Sequence, residues 1–333
     1  MAESEAPGVE PDGPAAESIV LVRDSEAVRL LQPVRYGGRA AAVAEFVSEV
    51  ADLAERDGSA GWLAAAVNAA AYQVASLGEA AAEQVWGTDA TALVTACGDV
   101  SGRLTRQHGH LELTGRWDSV TGAATADWFQ LSALDEGATV CVLVPRDTVQ
   151  VEQHVDRHGL ADAGIGDVAV TDAAVDESAV FRREADIVSG TEQFDDPDAR
   201  IVTGAGQAAA VIGAASGVWR AHVGQVRRRL ATSYGSEDAA ELTSSAVLVA
   251  RAASDIDAAR LQLTGSLGAT APDAATAQRQ AVARARNAAD QLLGSGSRHA
   301  LDTTDPVARL WLDVLAGYRL TIRGIADDSG ARR

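Results

Sequence analysis

Apolar residues recur along this chain with two different periods, and the change of period divides it. From Ala40 to Arg56, Val43, Phe46, Val47, Val50 and Leu53 fall at spacings of three and four, which predicts an amphipathic helix. Asp57-Gly58-Ser59 ends that run and is suited to cap the next helix, Ala60 to about Leu77, which is apolar nearly all round and so is predicted to be buried in a bundle. A short helix is expected before these, Ser25 to Pro33, and another after them, Glu79 to Trp86. Between about Ala92 and Ala185 the period drops to two. Leu111 and Leu113 alternate with His110, Glu112 and Thr114, a second apolar strand opens at Ala126–Phe129, and Thr139–Pro145 and Asp167–Val175 read as further strands. Arg182–Arg200 reads as a connecting loop, and helical spacing returns from Gly204.

In that last part Leu242, Val249, Ile256 and Leu263 recur every seventh residue, with Ala246, Ala253 and Ala259 between them, a pattern for close helix packing. Pro272 opens a helix to about Leu293, and Asp305-Pro306 starts the last one. No internal repeat is visible. The expected organisation is a disordered tail (1–24), an N-terminal helical domain (25–90), a central β domain (91–185), a linker (186–203), a C-terminal four-helix bundle (204–326) and a second tail (327–333). The fold class is therefore α+β.

Composition narrows the function. A net charge of −19 with no basic stripe argues against nucleic acid as a partner. No residue is lysine, a substitution by arginine typical of a GC-rich genome, with a halophilic surface as the other source. Cys97 and Cys141 are too few for a disulfide framework and lack metal-ligand spacing, so both are expected as buried thiols. No apolar run reads as a membrane span, and the acidic start (MAESEAPGVEPDGPAAES) is unlike a signal peptide, so a cytoplasmic location is expected.

Four segments carry a resemblance. They are Leu30–Gly38 (LLQPVRYGG), Asp57–Trp62 (DGSAGW), Gly109–Phe129 (GHLELTGRWDSVTGAATADWF) and Ala289–Val314, with Gly296-Ser297, Pro306, Arg309 and Asp313. In this order and spacing they resemble the acyl-CoA dehydrogenase superfamily, and within it the flavin-dependent monooxygenase branch, the oxygenase components of two-component systems. The resemblance implies an acyl-CoA dehydrogenase-like fold and reduced FMN or FAD supplied by a separate flavin reductase. It also implies a small aromatic or polycyclic substrate. Trp117, Ser119, Thr121 and Gly122 are then the expected flavin contacts, with Arg229 (of Arg227–Arg229) and Arg309 as anion contacts.

The chain departs from that pattern where the branch carries two histidines, which in the family stabilise an oxygenated flavin or deprotonate substrate. Ala70 and Leu315 stand there, Leu312 replaces the motif arginine, and the flavin-holding GTGS loop is Asp162–Asp167 (DAGIGD). His299 is the histidine placed to substitute. The catalytic glutamate of the dehydrogenases has no counterpart in Leu292–Leu301. A non-redox or partner subunit is the alternative, including a half-site subunit of a heteromeric acyl-CoA dehydrogenase with a homologous second chain. The alanine-rich bundle implies a homodimer or homotetramer. Of the remaining candidates, His154 and His158 read as strand and loop rather than metal ligands, and His108 and His110 as hairpin-turn residues. Asp127 is expected to bind backbone amides, and Phe194–Asp198 (FDDPD) is expected as a solvated acidic loop rather than a calcium site.

Overall fold

The computed structural model describes residues 22–23, 25–107, 110–154, 157–182, 197–232, 239–295, 302 and 304–330. Helix α1 (Val43–Arg56) buries Phe46, Val47, Val50, Ala51 and Ala54, the apolar side its spacing predicts. Asp57 caps α2 (Gly58–Ser76) by accepting a hydrogen bond from the Ala60 N–H at 3.0 Å. Nearly every residue of α2 is buried, and α3 (Glu79–Trp86) follows after Gly78. Before α1 no helix spans Ser25–Pro33; a single 3-10 turn (Glu26–Val28) stands there instead. Tertiary bonds take the place of helical ones: Leu31 N–H donates to Asn68 Oδ1 at 3.0 Å, and Asn68 Nδ2 donates to Ala27 O at 2.6 Å.

Seven strands form one sheet: β1 (Val94–Gln107), β2 (His110–Val120), β3 (Trp128–Asp135), β4 (Ala138–Pro145), β5 (Gln150–Gln153), β6 (Gly166–Val175) and β7 (Val180–Arg182). Their order is β5-β6-β2-β1-β3-β4-β7, with β1 and β3 parallel and every other neighbouring pair antiparallel. One face closes on its own core of Leu111, Leu113, Trp117, Phe129, Leu131 and Val168. The other face packs under α2 and α3, where Ala70, Val74 and Trp86 meet Val94, Cys141 and Leu143. Cys141 is fully buried, whereas Cys97 is half-buried, with its thiol pushed up to about 12 by burial.

Among the described residues four long helices follow: α4 (Ala199–Thr232), α5 (Ala239–Ser266), α6 (Ala271–Gly294) and α7 (Pro306–Gly330). Packed against α1, α2, α5, α6 and α7, helix α4 is the axis of the helical part. It is more apolar than its spacing suggests. Its Ala199–Arg229 stretch has a window of mean hydropathy 1.4, long enough to cross a bilayer, yet 89% of that window is buried inside the protein. A core helix enclosed on all sides needs the same composition. In α5 the seven-residue spacing holds at Ile256 and Leu263, but Ala252 and Ala259 are the buried alanines while Ala246 is exposed. An untwisted α-helix drifts against a seven-residue repeat, so the buried face turns along the helix.

The ends also differ from expectation. Val22 is buried and Arg23 is anchored to the β domain, both inside the expected tail, and α7 continues past residue 326 to Gly330. Residues 1–21, the His108-Gly109 turn, Phe194–Asp196 and His299 lie outside the described residues.

Close helix contact depends on absent side chains. A Cβ at Gly213 on α4 would sit 2.2 Å from the Ala51 carbonyl oxygen of α1, and one at Gly217 would sit 2.4 Å from that of Glu55. Both obstacles are backbone, which cannot swing aside. Gly213→Ala should therefore destabilise the protein by about 1–3 kcal/mol through overpacking, read as a lowered midpoint in urea denaturation with an unchanged m-value.

Candidate functional site

Strand β2 ends in a backbone conformation that side-chain residues avoid. Ser119 has φ +57°, and its N–H donates to Asp167 Oδ1 at 2.9 Å. The same carboxylate receives Arg116 Nη2 at 2.7 Å and lies 2.9 Å from His154 Nε2. Burial alone would raise the Asp167 pKa; the Ser119 amide, Arg116 and His154 outweigh it and bring it below the usual carboxylate value.

Two residues on, Thr121 is fixed from two sides. Its Oγ1 accepts the Trp62 indole N–H at 3.0 Å, and its carbonyl accepts the Thr95 hydroxyl at 2.5 Å. A hydroxyl has one donor and two acceptor positions, so a Thr121 oxygen engaged by the indole keeps its proton to donate elsewhere. Gly122 then turns the chain at φ +75°, packed against Leu63 of α2. Gly122 N–H and Ala124 N–H donate to the carbonyls of Ala163 and Gly164, both at 3.1 Å, which zips this turn to the loop before β6. Arg146 donates to Ala123 O, and Arg23 Nη1 donates to Thr125 O at 2.7 Å. Asp127 joins the clamp: it pairs with Arg23 and accepts the Leu93 N–H at 2.8 Å, the backbone-holding role its position suggested.

The facing loop is held in turn by α7. Leu160 is buried at φ +55°, and its N–H donates to Asp313 Oδ1 at 2.7 Å. Asp313 lies against the first residue of α2, where a Cβ on Gly58 would come within 2.6 Å of its carboxylate. Burial pushes the Asp313 pKa up to about 7; the Leu160 bond and Arg309 oppose the shift, while Asp57 and Asp162 add to it. Asp162 is raised as well, by burial and by Asp57.

The structure thus brings Ser119, Thr121 and Gly122 together and separates them from the other expected site residues. Trp117 is a correction: it is fully buried in the sheet core and donates to Ser132 O at 2.9 Å, because its place in β2 puts it on the inner face. Arg229 lines a different feature, an open cleft of about 520 Å3 between the end of α4 and the start of α7, with Gln225, Arg228, Thr304 and Asp305. Exposed Arg309 stands one turn into α7, within electrostatic reach of Asp313 and Asp162. Ala70 is fully buried in the α2–sheet core, so no imidazole-sized gap is kept there, and Leu312 and Leu315 are half-buried on α7. Among the described residues no group of three His, Cys, Asp or Glu is placed to hold a metal. Trp62, Asp167 and Asp313 were not picked out as site residues from sequence. Trp62 and Asp313 belong to matched motifs, and Asp167 ends the Asp162–Asp167 segment that stands at the flavin-holding loop.

With this geometry in view, comparison with known proteins is informative. No family model matches the chain. The HsaA oxygenase subunit of a flavin-dependent monooxygenase from Rhodococcus jostii (strain RHA1) is 28% identical, the match covering 90% of this chain and 86% of that protein. The crystal structure of 3-HSA hydroxylase from Rhodococcus sp. RHA1 superposes with a TM-score of 0.82 at 25% identity, covering 94% of this chain and 91% of that one. XiaF from Streptomyces sp., solved with FADH2 and glycerol, gives a TM-score of 0.78 at 20% identity over 95% of this chain and 88% of its own. The fold is that of the acyl-CoA dehydrogenases. The relatives are oxygenase subunits of flavin-dependent monooxygenases, the branch that the four motifs resemble.

Asp313 has a measurable consequence for stability. Its pKa is raised on folding, so the native state holds a proton that the unfolded state has lost between about pH 4 and pH 7. Stability contributed by this group falls as pH rises through that window. Asp313→Asn keeps an acceptor for Leu160 and removes the titration. The variant should gain ~2 kcal/mol relative to wild type between pH 5.5 and pH 8, measured by urea unfolding at the two values; a difference independent of pH would contradict it.

Proposed function

We propose that this chain is the oxygenase component of a two-component flavin-dependent monooxygenase. It takes reduced FMN or FAD from a separate reductase and hydroxylates a small aromatic or polycyclic substrate. The observation that carries this reading is Thr121. Its hydroxyl is fixed by Trp62 with the proton left to donate, in a turn that Gly122 and Gly164, both at positive φ, let pack against α2 and against the facing loop. These residues fit a flavin ring edge that presents acceptor atoms. When bound, the flavin supplies the activation of dioxygen. The protein's share would be to orient the ring through Thr121 and the Ser119–Ala124 turn. Arg228 and Arg229, in their cleft, suit a phosphate or pyrophosphate group. His299 is the residue we assign to proton transfer, since Ala70 and Leu315 supply no imidazole.

Relatives named as oxygenase subunits imply a reductase partner. We further propose a homodimer or homotetramer. Helix α5 leaves Val247 and Leu261 exposed four turns apart on its outer side, a face suited to a second copy. The closed core at Ala70 favours a second reading, a non-redox or partner subunit on the same fold, including a half-site subunit of a heteromeric dehydrogenase.

Anaerobic titration with reduced FMN and then reduced FAD separates the two readings. Binding of either, weakened about fivefold to tenfold by Thr121→Val through loss of one hydrogen bond, supports the oxygenase. Binding of neither flavin overturns it and leaves the non-redox or partner subunit.

A further inference from the structure

We propose that Asp313 is a positioning residue: its carboxylate holds Leu160 in the left-handed conformation and thereby sets the Gly159–Gly164 loop against the turn that carries Thr121. The link is continuous on the backbone. Asp313 Oδ1 accepts the Leu160 N–H at 2.7 Å, and three and four residues later Ala163 O and Gly164 O receive the Gly122 and Ala124 N–H groups, each at 3.1 Å. Thr121 immediately precedes that pair. Its functional part rests on the flavin reading above; the structural part does not.

Three features make this more than packing. A branched side chain at φ +55° is strained, so surrounding contacts must over-determine it. The Leu160 amide is buried, and without the carboxylate its donor has no partner in the structure. The same device recurs opposite: Ser119, at φ +57°, has its N–H held by Asp167. Two carboxylate-held left-handed residues therefore bracket Thr121. The charged groups around Asp313 are Asp57 at the start of α2, Asp162 in the loop and Arg309 on α7. None of them provides the bond to Leu160.

The test is amide hydrogen exchange, resolved by residue, on the wild-type chain, Asp313→Ala and Asp313→Asn. In the wild type the Leu160, Gly122 and Ala124 amides should all be protected. Asp313→Ala should lower protection at all three by at least about tenfold, while amides of β3 and β4 stay unchanged. Asp313→Asn, which retains an acceptor oxygen, should restore protection. An unprotected Leu160 amide in the wild type, or unaltered protection at Gly122 and Ala124 in a folded Asp313→Ala, would overturn the proposal. Should the alanine variant not fold, the wild-type Leu160 amide and the Asn variant still decide it. Reduced-flavin titration on the same proteins adds the functional arm. If the wild type binds, Asp313→Ala should raise Kd about tenfold and Asp313→Asn should not; equal affinity in all three removes the role in flavin binding. If the wild type binds no flavin, the oxygenase reading fails while exchange still settles what Asp313 holds.

Discussion

Helix α4 can be surrounded by five other helices only because glycines and alanines line its contacts. At Gly213 and Gly217 the backbone of α1 comes so near that a single methyl group would overlap a carbonyl oxygen. That approach fixes the distance between α1 and α4, and through α2, which packs on both, it fixes where Trp62 meets the sheet. The carboxylate of Glu55 secures the same junction by pairing with Arg220 of α4 and Arg260 of α5. A bulkier core would hold the helices further apart and withdraw the indole from Thr121.

The candidate site lies where three layers meet, and each contributes a different kind of group. The sheet supplies the Ser119–Ala124 turn, α2 supplies the indole that orients Thr121, and α7 supplies the carboxylate that holds the facing loop. Most groups in the turn are backbone amides and carbonyls already engaged with one another or with arginines. Such a site is organised before any ligand arrives, which suits a protein whose chemistry is brought by a cofactor. Where the resemblance places imidazoles, this chain carries alanine and leucine. Its own contribution to an oxygenation would thus be orientation, with proton transfer left to a residue elsewhere.

Much of the fold was legible from periodicity alone. The face of α1, the all-round burial of α2, the limits of α3 and the alternation in β2 follow from side-chain spacing, because burial along one element is a local matter. The motifs indicated the fold because turn glycines, helix caps and buried tryptophans are spaced by the fold itself. Trp117 shares the parity of Leu111 and Leu113 along β2, so the alternation itself puts it on the inner face, against the flavin contact that the motif implied. Other features were not legible. Leu30 and Leu31 lie in an irregular segment because Asn68, some forty residues away, offers a better partner than a helix would.

Sequence by itself determined most of the element types, the resemblance to the acyl-CoA dehydrogenase fold and the alanine and leucine at positions 70 and 315, since each depends on which residues are present and how they are spaced. Tertiary structure decided which of those residues meet. Asp167 reaches Ser119 across β2 and β6, Trp62 reaches Thr121 across the helix–sheet boundary, and Asp313 reaches Leu160 across 153 positions of chain. Hydrogen bonds act over about 3 Å, and only the packed fold brings such distant residues that close.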